Sequence, residues 1–414
     1  MKETMNHKHI KKICFFFPYH HIGGMSVVFS SFANTLSKNF QVYVVDYENG
    51  PMHNLCNKKI NIVSPKYIDR LCVDLIICQI TEPWNLKALA QFPQNPSLFF
   101  YAPTGIPMRD NIVLESLQFK KFRALINLFS FRRKQKIKQF LSISKQKNAV
   151  GTSEKLTQFI DWNLPIIPLP QAIENTKKTW TRKKRIVSIY WVSRIESFKI
   201  QPLLELLKQI INLKGNSVRV TIIGTGDQSF ELSSHIKSLN MGALITFKDQ
   251  FLELNDLKKR LAEDCDLFIG MGNSLLTAAS VGVPCLITGY SINGKMSANI
   301  YTPFYENQFY SLGENIDEKT TFNPKYNLMQ MLDTFCKDPK SWLKKQNKAL
   351  KKFDASRSAE ILMSNALKSK LKYNDFKKVG LLEPDGYSFL LYKIKMKLSE
   401  NFRKIEDERF IKTS

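Results

Sequence analysis

The chain has 414 residues, of which 43% are hydrophobic and 23% charged, as in an ordinary globular protein. This length suggests two or three domains that can bury a core without disulfides, and the composition excludes collagen-like, mucin-like and fully disordered proteins. The charge is less ordinary, because 61 Lys and Arg against 36 Asp and Glu give a formal net charge of +25. Such a surface attracts polyanions: nucleic acid, anionic lipid or phosphorylated substrates.

The seven cysteines show no CxxC spacing, and most lie inside apolar runs. We therefore expect buried free thiols in a reducing compartment rather than disulfides or a zinc site. Residues 1–9 are polar and contain no hydrophobic region of a signal peptide. No run of about 18 apolar residues, the length that a spanning helix needs, is present. These features predict a cytoplasmic protein.

The first elements in chain order predict a Rossmann-like domain over residues 10–175. An apolar run at residues 11–17 ends at Pro18, and the pair Gly23-Gly24 precedes apolar residues with helical spacing. Short apolar runs, typical of buried parallel strands, then recur. They lie at residues 41–46, 73–80, 98–101 and 140–143.

A second doubly wound domain is predicted over residues 186–355, after a basic linker at residues 176–185. Strands are predicted at residues 186–192, 218–223, 243–247, 266–270 and 284–288. Helices are predicted at residues 202–213, 230–239, 254–264 and 274–281. Residues 356–414 form a basic, mainly helical tail.

Two cations, Arg194 and Lys199, directly follow the first strand of the second domain. Open α/β sheets bind ligands beyond the carboxyl ends of their strands. Arginine offers a fork to phosphate oxygens, and lysine offers a point charge. The pair therefore indicates a phosphate site, although a solvated pair on a loop is the alternative.

Two later turns contain glycine. Gly224-Thr225-Gly226 permits close approach of a ligand to the backbone, or serves only as a turn. Gly272, Asn273 and Ser274 precede a short apolar helix, and N–H groups at such a helix start can bind a diphosphate. Simple capping of the helix by Asn273 or Ser274 is the alternative.

Taken in this order, Arg194-x4-Lys199, residues 222–226 and residues 278–284 resemble the GT-B nucleotide-sugar glycosyltransferases. The similarity is greatest to the mostly retaining, family 4/1-like group that builds bacterial lipopolysaccharide, capsule and glycolipids. In the first domain, the glycine pair after Pro18 and the sequence Thr81-Glu82-Pro83 fit the acceptor half of that family. The resemblance implies an α/β fold of two Rossmann-like domains that face a cleft.

The resemblance also implies roles for individual residues. The donor diphosphate would be held by Arg194, Lys199, Gly272, Asn273 and Ser274. Other donor contacts would come from Gly23, Gly24, Gly224, Gly226 and Thr277. The acceptor side would include His20, His21 and Glu82. The catalytic residue stays unassigned, and neither a metal ion nor a cofactor besides the nucleotide sugar is implied.

The sequence departs from the family at two glutamates that are usually eight positions apart. Those positions are Ile269 and Thr277, and a threonine offers only one short hydroxyl where a glutamate would hold the ribose. A histidine expected in the first domain is replaced by residues 101–104. Two hypotheses stay open: a divergent hexosyltransferase of the cell envelope, or a catalytically silent relative that binds a partner or a glycan.

The basic surface has two candidate locations. Residues 118–147 carry ten Lys and Arg interleaved with aromatic residues, and no acidic residue occurs between Glu115 and Glu154. A basic amphipathic helix of this kind can lie on anionic lipid, which favours a peripheral protein at the inner face of the cell membrane, or it packs its aromatic stripe on the core. The tail at residues 387–411 is similar. No motif of a nucleic-acid-binding domain is present, so nucleic acid is not expected as a partner.

Overall fold

The computed structural model describes residues 10–20, 23–79, 88–102, 148–152, 164–173, 187–213, 218–240, 242, 244–290, 300–308, 310–313 and 326–378. The chain divides into two compact units. The first unit comprises Met1–Ile167 and Ser358–Ser414, and the second comprises Pro168–Arg357. Each unit has its own sheet and its own hydrophobic core.

The first unit contains a six-stranded sheet in which every strand is parallel to its neighbours. Its strands are β1 (Lys12–Phe16), β2 (Gln41–Val45), β3 (Asn61–Val63), β4 (Leu75–Gln79), β5 (Ser97–Ala102) and β6 (Ala149–Gly151). The strand order is β3-β2-β1-β4-β5-β6. This is the order of dinucleotide-binding sheets, and it reverses between β1 and β4.

Two helices and a 3-10 helix connect the first strands: α1 (Gly24–Leu36), α2 (Met52–Leu55) and the 3-10 helix Pro65–Arg70. Helix α1 starts at the glycine pair, and its apolar face is buried as its spacing predicts. The rings of Phe29 and Phe32 lie 5.4 and 6.5 Å from that of Phe15 in β1. The helix thus covers the centre of the sheet, beside the reversal of strand order.

The second unit repeats this topology. Its strands are β7 (Val187–Val192), β8 (Val218–Ile223), β9 (Ile245–Lys248), β10 (Leu267–Gly270), β11 (Cys285–Thr288) and β12 (Tyr301–Pro303). Their order is β12-β11-β10-β7-β8-β9, which reverses between β7 and β10. All pairs are parallel except that of β11 with β12.

Six helices of the second unit are described: α3 (Ser197–Asn212), α4 (Ser229–Ser238), α5 (Leu254–Asp264), α6 (Asn273–Ser280), α7 (Leu328–Lys337) and α8 (Pro339–Leu350). Two 3-10 helices, Phe304–Glu306 and Lys351–Phe353, accompany them. Helix α3 begins five residues before the predicted start at Pro202, because Ile200 is already buried in the core. Among the described residues, no helix has both the length and the apolar character to cross a membrane.

The last two helices, α9 (Ala355–Ala366) and α10 (Tyr373–Lys378), lie in the segment predicted as a basic tail. The backbone N–H of Leu98 in β5 donates to the carbonyl of Leu371 at 2.8 Å. The ring of Phe376 lies 6.1 Å from that of Phe100, and both are fully buried. The described part of this segment therefore completes the core of the first unit, and residues 379–414 lie outside the described residues.

The α/β fold class is confirmed, and most of the predicted strands match within two residues. The sixth strand of the first sheet is Ala149–Gly151, whereas the sequence predicted a strand at residues 140–143, which lie outside the described residues. Strands β3 and β12 were not predicted. Each has only three residues, so neither produces a recognisable apolar run.

Candidate functional site

The reversal of strand order in the second sheet brings two candidate loops side by side. Strands β7 and β10 are neighbours, with Ile189 opposite Leu267 and Tyr190 opposite Phe268. Extending that register by two residues places the end of β10 beside the end of β7. The segment with Arg194 follows β7, and Gly272 follows β10. In open α/β sheets, ligands bind at this position, beyond the carboxyl ends of the strands at the topological switch point.

The two predicted phosphate-binding cations share one carboxylate. Arg194 Nη1 lies 2.9 Å from Glu196 Oε1, and Lys199 Nζ lies 3.7 Å from Glu196 Oε2. The side chains of Arg194, Glu196 and Lys199 are 38%, 25% and 17% exposed. Sequence reasoning did not select Glu196, which lies between the two cations in sequence but shows its pairing with both only in the folded chain. The cations are therefore partly withdrawn from solvent and already paired with an anion.

Burial lowers the pKa of Lys199 below its ordinary value, because a low-polarity environment disfavours the charged ammonium. The Glu196 carboxylate raises that pKa, and the Arg194 guanidinium lowers it further. An anionic ligand beside Lys199 would favour the charged form. A second negative charge beside Lys199, in addition to that of Glu196, would therefore stabilise its ammonium form.

The glycines after β8 determine where Arg194 lies. A Cβ atom on Gly224 would lie 1.8 Å from the carbonyl oxygen of Ser193, and one on Gly226 would lie 2.3 Å from that of Ile195. Gly224 also has φ +149°, a conformation that favours glycine. The N–H of Ile195 donates to the carbonyl of Thr225 at 3.0 Å. The close approach that these glycines permit is to the backbone on either side of Arg194.

Helix α6 starts after β10 with no side-chain cap. Gly272 is its N-cap residue, with φ +66°, and its N–H donates to the carbonyl of Leu312 at 2.8 Å. The Ser274 hydroxyl donates to the carbonyl of Met271 at 3.2 Å. Neither Asn273 nor Ser274 is thus the N-cap residue. A Cβ atom on Gly272 would meet no atom of the described residues within 4 Å, so those residues leave space beside this turn.

The two positions of the family glutamates have different surroundings. Ile269 lies in β10 and is fully buried among apolar side chains. Thr277 lies in helix α6, is 4% exposed, and donates its hydroxyl to the carbonyl of Asn273 at 3.0 Å. The oxygen of that hydroxyl can still accept a hydrogen bond, but it is a single neutral acceptor in place of the two charged oxygens of a carboxylate. The donor contact predicted for Thr277 stays a prediction.

The first unit places its candidate loop at the corresponding reversal, after β1. Gly23 is the N-cap residue of α1, and its carbonyl accepts the N–H of Val27 at 3.3 Å. The exposed His20 ring stacks on Tyr47, with ring centres 3.8 Å apart and planes at 10°. His20, Gly23 and Gly24 therefore lie beyond the carboxyl end of β1. Among the other candidates, His21, Glu82 and residues 118–147 lie outside the described residues.

Asp46 fixes this loop, and sequence reasoning did not select it. Its fully buried carboxylate accepts the backbone N–H groups of Tyr19, Tyr47 and Met52, at 3.1, 2.9 and 2.9 Å. Burial raises the pKa of Asp46, and these hydrogen bonds lower it, with a net increase. A Cβ atom on Gly50 would lie 2.2 Å from the carboxylate carbon. The carboxylate thus ties the segment before His20 to the end of β2.

Other chemistry is sparse in the described part of the chain. No group of three or more His, Cys, Asp and Glu there could hold a metal ion. All seven cysteines are free, and four of them are buried. Desolvation raises the pKa of the buried Cys14 and Cys78 thiols, which keeps them protonated and unreactive.

No family model matches the sequence, and no curated protein matches it. Solved structures do match, and three of them share 12–14% sequence identity with this chain. Anabaena HepE, solved with UDP and glucose, gives a TM-score of 0.54 at 14% identity over 85% of this chain and 98% of its own. A glycosyltransferase of Rickettsia africae gives 0.51 at 12% identity over 95% and 100%. The lipopolysaccharide outer core galactosyltransferase WaaB gives 0.50 at 13% identity over 87% and 100%.

These three proteins match along nearly their whole length, through both α/β units. The likeness agrees with the repeated strand order of the two sheets, which reverses at the same position in each. The chain has the GT-B glycosyltransferase fold.

Proposed function

We propose that this chain is a glycosyltransferase that transfers a hexose from a UDP-sugar to a polysaccharide or glycolipid of the cell envelope. The observation that supports the proposal is that two segments, the one with Arg194 and Lys199 and the turn at Gly272, follow the neighbouring strands β7 and β10 at the switch point of the second sheet. Among the structural relatives, HepE is described with UDP-glucose, and WaaB is a galactosyltransferase of the lipopolysaccharide outer core.

In the proposed reaction, this site stabilises the leaving diphosphate. As the bond between the sugar and the diphosphate breaks, negative charge develops on the leaving oxygen. A guanidinium and an ammonium already held in place stabilise that charge without reorganisation. The first N–H groups of helix α6, at Asn273 and Ser274, add partial positive charge. Since Arg194 and Lys199 supply the cations, the transfer as proposed uses neither a metal nor another cofactor.

The acceptor is proposed to bind at the first unit, beyond the end of β1. His20 is exposed there and stacks on the ring of Tyr47, and the Asp46 hydrogen bonds order the segment before it. His21 and Glu82 belong to the same proposal through the sequence alone. We further propose retention of the anomeric configuration, and a location at the inner face of the cell membrane through residues 118–147.

An assay with UDP-glucose and UDP-galactose tests the proposal. Release of UDP by wild type, with a loss of about a hundredfold or more in the double variant R194A/K199A, is the expected result. The variant K208A/K237A is the matched control, because it removes two exposed cations from the same unit. Equal activity in R194A/K199A and wild type would contradict the proposed site. The configuration of the product sugar, read by NMR, tests retention.

A second candidate function rests on Ile269 and Thr277. Neither provides the carboxylate that the resemblance leads one to expect, which favours a catalytically silent protein that binds a partner or a glycan. The variant T277E restores one carboxylate. A gain in UDP affinity for T277E, together with turnover by wild type, would exclude the silent protein. Undetectable UDP binding by both proteins would support it.

A further inference from the structure

Glu196 provides an anion between the two cations of the proposed phosphate site. Its two carboxylate oxygens are divided between two cations, with Oε1 at 2.9 Å from Arg194 and Oε2 at 3.7 Å from Lys199. The Oε2 atom is itself buried from solvent. A carboxylate in this position neutralises one of two positive charges. The three side chains together carry a net charge of +1.

The surroundings explain why an anion is needed there. Two cations held close together and partly desolvated repel each other, and an unpaired charge in such a place is costly. Glu196 is the N-cap residue of helix α3, and its carbonyl accepts the N–H groups of Lys199 and Ile200 at 2.8 and 3.0 Å. Both its backbone and its side chain therefore hold Lys199 in position.

We propose that Glu196 is an internal counter-anion that occupies Arg194 and Lys199 when no nucleotide is bound and competes with the donor diphosphate for them. This inference rests on the proposed function. A diphosphate, with at least two negative charges, displaces a single carboxylate more readily than a ligand with one charge does. Glu196 thereby disfavours singly charged anions. Glu196 also weakens binding of the nucleoside diphosphate product, and this favours its release.

The variant E196Q tests the competition, because glutamine keeps the size of the side chain and removes its charge. At pH 6, we expect E196Q to bind UDP about tenfold more tightly than wild type, a change of about 1.4 kcal/mol. The titration of UDP itself is common to both proteins and cancels in the ratio. The control E263Q removes an exposed carboxylate at the end of helix α5 and should bind as wild type does.

The pH profile supplies a readout that a merely structural role would not change. Glu196 raises the pKa of Lys199, while burial and Arg194 lower it. Without the carboxylate, Lys199 should lose its proton at lower pH. The alkaline decline of UDP affinity should therefore begin at lower pH in E196Q than in wild type. The variant E196D keeps the anion and should retain the profile of wild type.

The outcomes distinguish a failure of this inference from a failure of the proposed function. If wild type binds UDP through Arg194 and Lys199, and E196Q binds equally or more weakly with an unchanged profile, Glu196 is no competitor and the inference is wrong. If neither wild type nor E196Q binds UDP, the proposed function fails and the inference fails with it. Tighter binding by E196Q with the shifted profile supports both. Circular dichroism shows whether each variant is folded.

Discussion

Gly224 and Ser193 lie so close together that only glycine fits at position 224. A Cβ atom there would lie 1.8 Å from the Ser193 carbonyl oxygen. Ser193 directly precedes Arg194, and its N–H donates to the carbonyl of Ile223 at 3.2 Å. The turn after β8 therefore supports the loop that carries the arginine. The close packing of Gly224 thus determines the geometry of the loop with Arg194.

The substitution G224A should destabilise the second unit by about 3 kcal/mol, because the methyl group overlaps backbone and the conformation at φ +149° is strained for alanine. UDP affinity should fall together with stability. Thermal and urea unfolding measure the first effect, and calorimetry measures the second. The control is G242A, where a Cβ atom would meet no part of the described chain within 4 Å. Equal stabilities of the two variants would contradict the role given to Gly224.

The sequence alone predicted this part of the fold well, because apolar runs and glycine turns alternate with the period of a doubly wound sheet. Helix α5 was predicted with its bounds at Leu254 and Asp264. What the sequence could not show is which backbone each glycine approaches. Gly224 looked like a ligand contact, whereas the atom closest to its Cβ position is the Ser193 oxygen. Contacts between segments distant in sequence follow only from the folded chain.

UDP affinity should depend on pH through Lys199, whose pKa burial lowers. Binding requires the ammonium form, so affinity should decline as pH rises through a pKa that lies below the ordinary 10.5 of lysine. UDP binding should take up protons in that range. The variant K199R stays charged at all these pH values and should lack the decline. Parallel declines in wild type and K199R would show that another group titrates.

The lowered pKa of Lys199 also makes the stability of the protein depend on pH. A base whose pKa is lower in the folded than in the unfolded protein binds fewer protons when folded. The contribution of Lys199 to the free energy of unfolding should therefore rise with pH between its lowered pKa and about 10.5. The difference in unfolding free energy between wild type and K199M, measured from pH 7 to 10, reports this directly. A difference that falls with rising pH would contradict the direction of the shift.

Phe376 tests whether residues after Ser358 stabilise the first unit. Its ring is fully buried against Phe100, and truncation of a buried phenylalanine costs about 3–5 kcal/mol. The control F230A makes the same chemical change at a ring that is 86% exposed, and should change stability little. Hydrogen exchange of the β5 amides should become faster in F376A alone. Unchanged exchange would show that the helix does not support the sheet.

Gln346 tests a buried polar contact in the second unit. Its side-chain oxygen accepts the N–H of Cys285 at 2.9 Å, and its amide group donates to the carbonyl of Val283 at 2.7 Å. Q346L leaves the Cys285 N–H without a partner and should destabilise the second unit by about 1–3 kcal/mol. Urea unfolding of Q346L and of N347L, an exposed position on the same helix, measures the difference. Equal midpoints would contradict the assignment.

The candidate site was only partly predictable. Arg194, Lys199 and Gly272 could be selected because cations and glycines that directly follow buried parallel strands are together typical of a phosphate site. Glu196 could not be given a role, because an acidic residue on a loop is ordinary until its two oxygens are found between two cations. The role of Asp46 could not be predicted for a similar reason. Its three partners are backbone N–H groups, and a pattern of side chains in the sequence does not indicate them.

Calorimetric binding of UDP, GDP, ADP and CMP to wild type, R194A/K199A and the matched control K208A/K237A shows whether Arg194 and Lys199 hold the donor diphosphate. We expect micromolar binding of UDP to wild type and to the control, and loss of that binding in R194A/K199A. Undetectable binding of all four nucleotides to wild type, or UDP binding that survives in R194A/K199A, would contradict this expectation.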